Sequence, residues 1–115
     1  MIRHIVMWNL HDQAEGADKA SNLLKAKDLL LSCAKVVPGI RTFEVASATS
    51  GMDCTNDLLL HMLLDDAQVL AAYQNHPDHL AIKPFMKAVV KERRCMDFNV
   101  ELKELLHGTH CSTTF

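Results

Sequence analysis

A chain of 115 residues, 49% of them hydrophobic, can fill one ordinary core and is too short for two domains of usual size. Charges of both signs mix to a net of −2, which excludes a polar disordered chain and a strong field toward nucleic acid. No apolar run reaches the roughly 20 residues of a membrane helix, no leader pattern opens the chain, and Cys33, Cys54, Cys95 and Cys111 lack C-x-x-C spacing, so a cytoplasmic protein with free thiols and no membrane partner is expected.

Residues 2–10, IRHIVMWNL, are β-branched and aromatic and predict a strand; the polar residues 11–16 then turn the chain or open a helix. Across residues 17–37, Ala20, Leu23, Leu24, Leu30, Leu31, Ala34 and Val37 recur at three- and four-residue steps, with Lys25, Lys27, Asp28 and Lys35 between them. That spacing predicts an amphipathic helix. Pro38-Gly39 ends it, since proline cannot continue the ladder and glycine accepts the dihedrals of the turn. Residues 40–48 predict a second strand with Phe43 and Val45 on one face and Thr42 and Glu44 on the other. A loop over 50–56 leads to a third strand, LLLHMLL, at 58–64. Asp65-Asp66 opens a helix carrying Leu70 and Tyr73, acids being favourable at its positive end, and a short helix follows Pro77. Lys91, Arg93 and Arg94, broken by Glu92 and without interleaved aromatics, read as the solvated end of that helix, leading into a last strand at 93–100. The domain is expected to span residues 1–101, with a C-terminal tail at 102–115.

The order β-α-β-β-α-β is the split βαβ arrangement of the ferredoxin-like fold, an α+β class with a four-stranded antiparallel sheet. Right-handed crossovers put both helices on one face of the sheet. Yet the first and third strands are apolar on both sides: Val6 and Trp8 oppose Ile5 and Met7, and Leu58, Leu60 and Met62 oppose Leu59, His61 and Leu63. Burying Ile5, Met7, Leu59, Leu63, Met96 and Phe98 at about 1.5–3 kcal/mol each would contribute on the order of 10 kcal/mol per protomer before association costs. A second copy, packed sheet on sheet, is the simplest cover, so a homodimer is expected. His61 then falls in the interface, where it would make assembly sensitive to pH.

The stretch YQNHPDHL, residues 73–80, gathers the single tyrosine and two histidines around a proline. Pro77 suits the first position of a helix and pushes His76 into a cap-like conformation. His79 then lies in the first turn, where the helix dipole disfavours a charged imidazole, and a neutral imidazole is what a general base requires. On the functional reading His79 takes a proton, Tyr73 donates a hydrogen bond to a substrate carbonyl and His76 adds a contact with the ligand. On the plainer one, Pro77 makes the break, His76 caps the helix and Tyr73 packs on the core with its hydroxyl reaching water. A zinc reading of His76-x-x-His79 puts the Pro77 bend between the two ligands and has no third, and the tail's His107, His110 and Cys111 are equally loose, so no metal and no cofactor is assigned. His4 and Asp97 share the helix-facing side of the first and last strands, either as a satisfied buried pair or as a polar wall orienting a ligand.

With these elements in place, the opening MIRHIVMW, the VPGI turn at residues 37–40, the YQNHPDH corner and the closing strand with Asp97 resemble the stress-responsive α/β-barrel (Dabb) family over roughly residues 1–100. The resemblance implies a dimeric α/β barrel. Plant members that act as cofactor-free polyketide cyclases use a tyrosine and a histidine matching Tyr73 and His79, while a further pocket histidine of such a cyclase falls on Leu58 here. Three functions are therefore entertained. The first is a pocket for a small apolar or carbonyl compound, with cyclase or lyase activity, lined by Val6, Trp8, Leu24 and Leu60 and with Tyr73 and His79 at its mouth. The second is a non-enzymatic stress-associated dimer. The third is a cofactor-free monooxygenase, suggested by Trp8 and Asn9 alone.

Overall fold

In β1 (Ile2–Leu10) the even-numbered residues from His4 to Leu10 are buried and the odd-numbered ones half-buried, the two-residue period of a strand covered on one side. The computed structural model describes residues 1–100; the expected tail at 102–115, with its two histidines and Cys111, lies outside them. After β1 come a two-residue hairpin, β2 (Gln13–Ala14) and β3 (Ala17–Asp18), then α1 (Lys19–Leu31), β4 (Ile40–Ser47), β5 (Leu58–Leu64), α2 (Ala67–Asn75), α3 (Pro77–Val89) and β6 (Val90–Asn99). The four long strands form one antiparallel sheet in the order β4-β5-β1-β6, the ferredoxin-like order expected from the sequence. Among the described residues no helix is long and apolar enough to cross a membrane.

Several boundaries differ from the sequence expectation, each for a local reason. Glu15 and Gly16 both adopt positive φ (52° and 73°), which closes the β2–β3 hairpin and delays the helix until Asp18 caps it, accepting from the Ser21 amide at 2.8 Å. After Leu31 the ladder tightens. The Cys33 and Ala34 amides donate to Leu30 and Leu31, and Ser32 Oγ donates to the Leu29 carbonyl, so α1 ends well short of residue 37. The helix after Pro77 is not short: it runs 13 residues straight through Pro84. An interior proline costs about 3 kcal/mol, but burying Ile82, Met86 and Val89 contributes about 1.5–3 kcal/mol each and wins. β6 consequently begins at Val90 rather than at residue 93, opposite Leu10 across a bulge, so that Lys91 joins Arg93 and Arg94 in the strand instead of ending the helix.

Gly39, in the turn before β4, has φ +97°, and a Cβ there would sit 2.7 Å from Val69 Cγ2 on α2. Both the dihedral and the close approach require glycine. Gly39→Ala is expected to lower the unfolding free energy by about 1–3 kcal/mol, read as a shifted urea midpoint with unchanged slope; an unaltered midpoint would contradict this account of the turn.

All three helices pack on one face. There Val6, Trp8, Leu58, Leu60 and Met62 meet Ala26, Leu30, Tyr73, Ile82, Met86 and Val89 in a single core. The opposite face carries the apolar set expected from the sequence: Ile5 lies across from Met96, Met7 from Leu59, and Arg3 from Phe98 and Leu63. Met96 is 65% and Phe98 36% exposed, whereas Ile5, Met7, Leu59 and Leu63 are half-buried by their sheet neighbours. The gain from covering this face is accordingly smaller than full burial of six side chains. His61 lies on it too, accepting from Arg3 Nη1 at Nε2 (2.9 Å) and turning Nδ1 toward Glu44 at 3.8 Å.

Candidate functional site

The helices do not roof the whole sheet. Except for half-buried Val90, every residue of β6 is exposed, and between this strand and α3 opens a cleft of about 1050 Å³. Val6, Trp8 and Leu60 floor it from the sheet, Leu30 closes it from α1, and Ile82 and Met86 line it from α3. Its polar groups are few: His4, Gln74, Asn75 and His79, with Lys83, Lys87 and Arg93 around them. An apolar cleft with a handful of convergent polar groups is the ordinary form of a small-molecule site.

His79 is the group in this cleft with the clearest chemistry. Its Nδ1 lies 3.0 Å from the Gln74 carbonyl at the end of α2. A carbonyl only accepts, so Nδ1 carries the hydrogen and Nε2 keeps its lone pair. Burial pushes the imidazole below its ordinary value of 6.5, and the charges of Lys83, His4 and Arg93 push the same way, against the Gln74 hydrogen bond. The neutral state expected from the helix dipole is thus favoured chiefly by desolvation and neighbouring cations.

Tyr73 does not stand at the cleft mouth. It is fully buried, packed edge-on against Phe43 at 6.1 Å and tilted against His79 at 4.6 Å between ring centroids. Its hydroxyl reaches neither water nor a partner among the described residues, and burial holds the phenol protonated far above its usual range. The reason lies on α2, where Leu70 and Tyr73 form the stripe that faces the core. Because the hydroxyl is unpaired, Tyr73→Phe is expected to leave stability unchanged or raise it by about 1 kcal/mol; a loss of comparable size in a thermal or urea melt would reveal a partner for that oxygen.

Leu24 is a further correction. It is 68% exposed and takes no part in the cleft, because the buried face of α1 is Asn22, Ala26 and Leu30, and Leu24 falls on the far side of that stripe. Asn22, polar yet buried, is satisfied by donating to the Ala14 carbonyl at 3.0 Å, an arrangement that depends on the unforeseen hairpin. His76 caps α3, its Nδ1 accepting from the Asp78 amide at 3.1 Å, while His79 turns to Gln74, so the two imidazoles serve different partners. His4 is buried on the cleft wall and its Nδ1 is hydrogen-bonded to Asp97, which sits partly exposed on β6 rather than under a helix. Leu58 is core. Trp8 lines the cleft, but Asn9 points to the opposite side of the strand and donates to the Thr55 carbonyl at 3.1 Å, so the pair does not form one site.

Sequence reasoning missed Ile82, Lys83, Met86 and Lys87, which follow His79 at three, four, seven and eight residues and therefore share its face of α3. That spacing was readable once the helix was allowed to pass Pro84. It also missed Arg93, whose strand face became definite only with the Trp8–Arg93 register.

Comparison with known proteins agrees with this architecture. The model of the Stress Responsive A/B Barrel Domain (Dabb) matches residues 2–100. Among solved structures, a dimeric protein of unknown function and ferredoxin-like fold from Bacteroides fragilis is similar with a TM-score of 0.73 at 22% identity, over 86% of this chain and 95% of that one. A Dabb family protein from Mesorhizobium loti gives 0.63 at 23% identity, over 87% and 96%. SnoaB, a cofactor-independent oxygenase from Streptomyces nogalater, gives 0.67 at 10% identity, over 87% and 92%. No curated protein sequence matches the chain. Strand order, helix placement and a domain match running almost the full described length lead to one assignment: the chain belongs to the stress-responsive A/B barrel (Dabb) family.

Proposed function

We propose that this Dabb protein is a homodimer whose cleft binds a small, largely apolar carbonyl compound, and that His79 acts there as a base on the carbon beside the carbonyl, the first step of a cofactor-independent cyclisation or cleavage. The observation that carries the reading is His79 itself, a neutral imidazole with one nitrogen anchored to Gln74 and the other unprotonated, on a side chain lining an apolar cleft. Lys83, Lys87 and Arg93, exposed around the cleft, suit the negative charge that an enolate develops. Tyr73 enters as a positioning residue, its ring backing the imidazole. His4 with Asp97 supplies the facing polar wall.

Homodimerisation is supported by the apolar face of the sheet left without a helix, and the Bacteroides fragilis neighbour is itself described as dimeric. The cleft volume favours a binding role over a purely structural dimer, which would be expected to fill the space beside His79 with side chains. The oxygenase reading keeps the fold of SnoaB and Trp8 in the cleft, but loses Asn9. The test is proton exchange: an aryl alkyl ketone in D2O, followed by NMR, should lose its α-hydrogens faster with the protein present. Exchange no faster than in buffer, with no binding of any ketone in a broad panel, would sink the proposal, and oxygen uptake with an electron-rich phenol would favour the oxygenase instead.

A further inference from the structure

A second group of reactive side chains lies on the β1–β6 edge, where His4 and Asp97, the polar wall of the cleft facing His79, are joined by Cys95. The antiparallel register sets His4 of β1 opposite Asp97 of β6 and Val6 opposite Cys95. Because strand side chains alternate, Cys95 and Asp97 project from the same face of β6, toward His4. His4 Nδ1 is hydrogen-bonded to Asp97 Oδ1, Cys95 Sγ lies 3.7 Å from that same oxygen, and the donor atoms of all three fall within 4.8 Å of one another. His4 is only 3% exposed, which fixes the imidazole, while Cys95 and Asp97 are open to solvent and leave a path for an ion to enter.

We propose that His4, Cys95 and Asp97 form a binding site for a zinc-class divalent ion, with a fourth coordination position open to solvent beside the exposed Cys95 and Asp97. Tetrahedral zinc with bonds of about 2.0–2.3 Å separates its ligand atoms by roughly 3.3–3.8 Å, the spacing already present between Cys95 and Asp97. To admit the ion, the Asp97 carboxylate has to swing away from His4 Nδ1. Its partial exposure makes that side-chain motion inexpensive. Thiolate and imidazole select zinc, cobalt or nickel over magnesium and calcium, which prefer all-oxygen shells. An ion held by one thiolate and one carboxylate is neutralised, so Arg93, next on the same strand face, meets an uncharged cluster. Three protein ligands and one open position are the arrangement of zinc sites that accept a further ligand.

Cobalt is the probe, because a thiolate ligand gives it a charge-transfer band in the near ultraviolet that imidazole and carboxylate alone do not. Titrating the full chain with Co2+ should develop that band to one ion per chain, and Zn2+ should abolish it. Cys95→Ser should remove the band and weaken Zn2+ binding by about tenfold or more, and Asp97→Asn should weaken it with the band retained. Cys54→Ser, Cys111→Ser and His79→Ala should all keep the band, the last separating this claim from the one about proton abstraction. A measurement without variants uses alkylation: Zn2+ should slow modification of Cys95 by iodoacetamide, read by mass spectrometry, while leaving Cys54 unaffected. Absence of the band in the unaltered protein, its survival in Cys95→Ser, its loss in Cys111→Ser, or unprotected Cys95 in saturating Zn2+ would each overturn the proposal.

Discussion

His79→Ala is expected to lower turnover of a ketone substrate by about 10²–10⁴-fold, with substrate affinity much less affected. Geometry leaves one nitrogen of the ring free. The Gln74 carbonyl fixes the hydrogen on Nδ1, so the remaining ring nitrogen has its lone pair available from a side chain on the cleft wall. Electrostatics keep that nitrogen unprotonated. Desolvation, with Lys83, His4 and Arg93 adding their charges, depresses the imidazole below 6.5, so the base is already unprotonated near neutrality. Turnover should then be flat above pH 6.5 and fall only on an acid limb below it, where the imidazole takes up its proton. The same shift acts on stability. Since the unfolded chain binds this proton more readily than the folded one, the neutral site contributes stability that is complete above pH 6.5 and lost as pH falls from there through the folded value. His79→Gln should flatten that part of the stability profile. An acid limb above pH 6.5, or full turnover in the alanine variant, would remove His79 from the chemistry.

For the sheet-on-sheet homodimer proposed above, Leu59→Asp is expected to shift the protein to monomer. Leu59 sits on the inner strand β5, opposite Met7 on β1 and Ala46 on β4, in the middle of the face that has no helix over it. Alone, the chain leaves this residue half-buried, so an aspartate can turn to water and the fold survives. In a sheet-on-sheet dimer that water is gone, and an unpaired buried carboxylate costs about 3 kcal/mol or more, a weakening of over a hundredfold in the dissociation constant. Leu59→Ala should have a smaller effect, losing only packing. Sedimentation should report the change with the far-ultraviolet circular dichroism of the protein preserved. If Leu59→Asp sediments like the unaltered protein, the interface lies elsewhere.

Much of the architecture was legible because strands and helices write different periods. LLLHMLL at residues 58–64 could be recognised as a strand apolar on both sides, and its two faces separate in the structure as the alternation requires. Helix faces were harder to read. In α1 the buried stripe is Asn22, Ala26 and Leu30, and the apolar residues Leu24 and Leu31 lie outside, since small side chains and a satisfied asparagine allow close packing that hydropathy alone does not register. The hairpin at residues 13–18 was hidden because its turn uses Glu15 at positive φ, a conformation the residue does not announce. At the site, the helix start at Pro77 pointed to a downward shift of the His79 imidazole, but neither its chief cause, burial, nor the Gln74 anchor could be read from the sequence. For Tyr73 the plainer of the two sequence readings holds in part: its position on the α2 stripe with Leu70 turns it to the core, but its hydroxyl is buried rather than reaching water.

The functional account rests on a neutral imidazole at residue 79 that keeps Nε2 free, and long-range proton–nitrogen NMR on the unliganded protein at pH 7 reads that state directly. The expected result is an His79 ring with its hydrogen on Nδ1 and a titration midpoint below 6.5. A ring protonated on both nitrogens at that pH, or one carrying its hydrogen on Nε2, would contradict it.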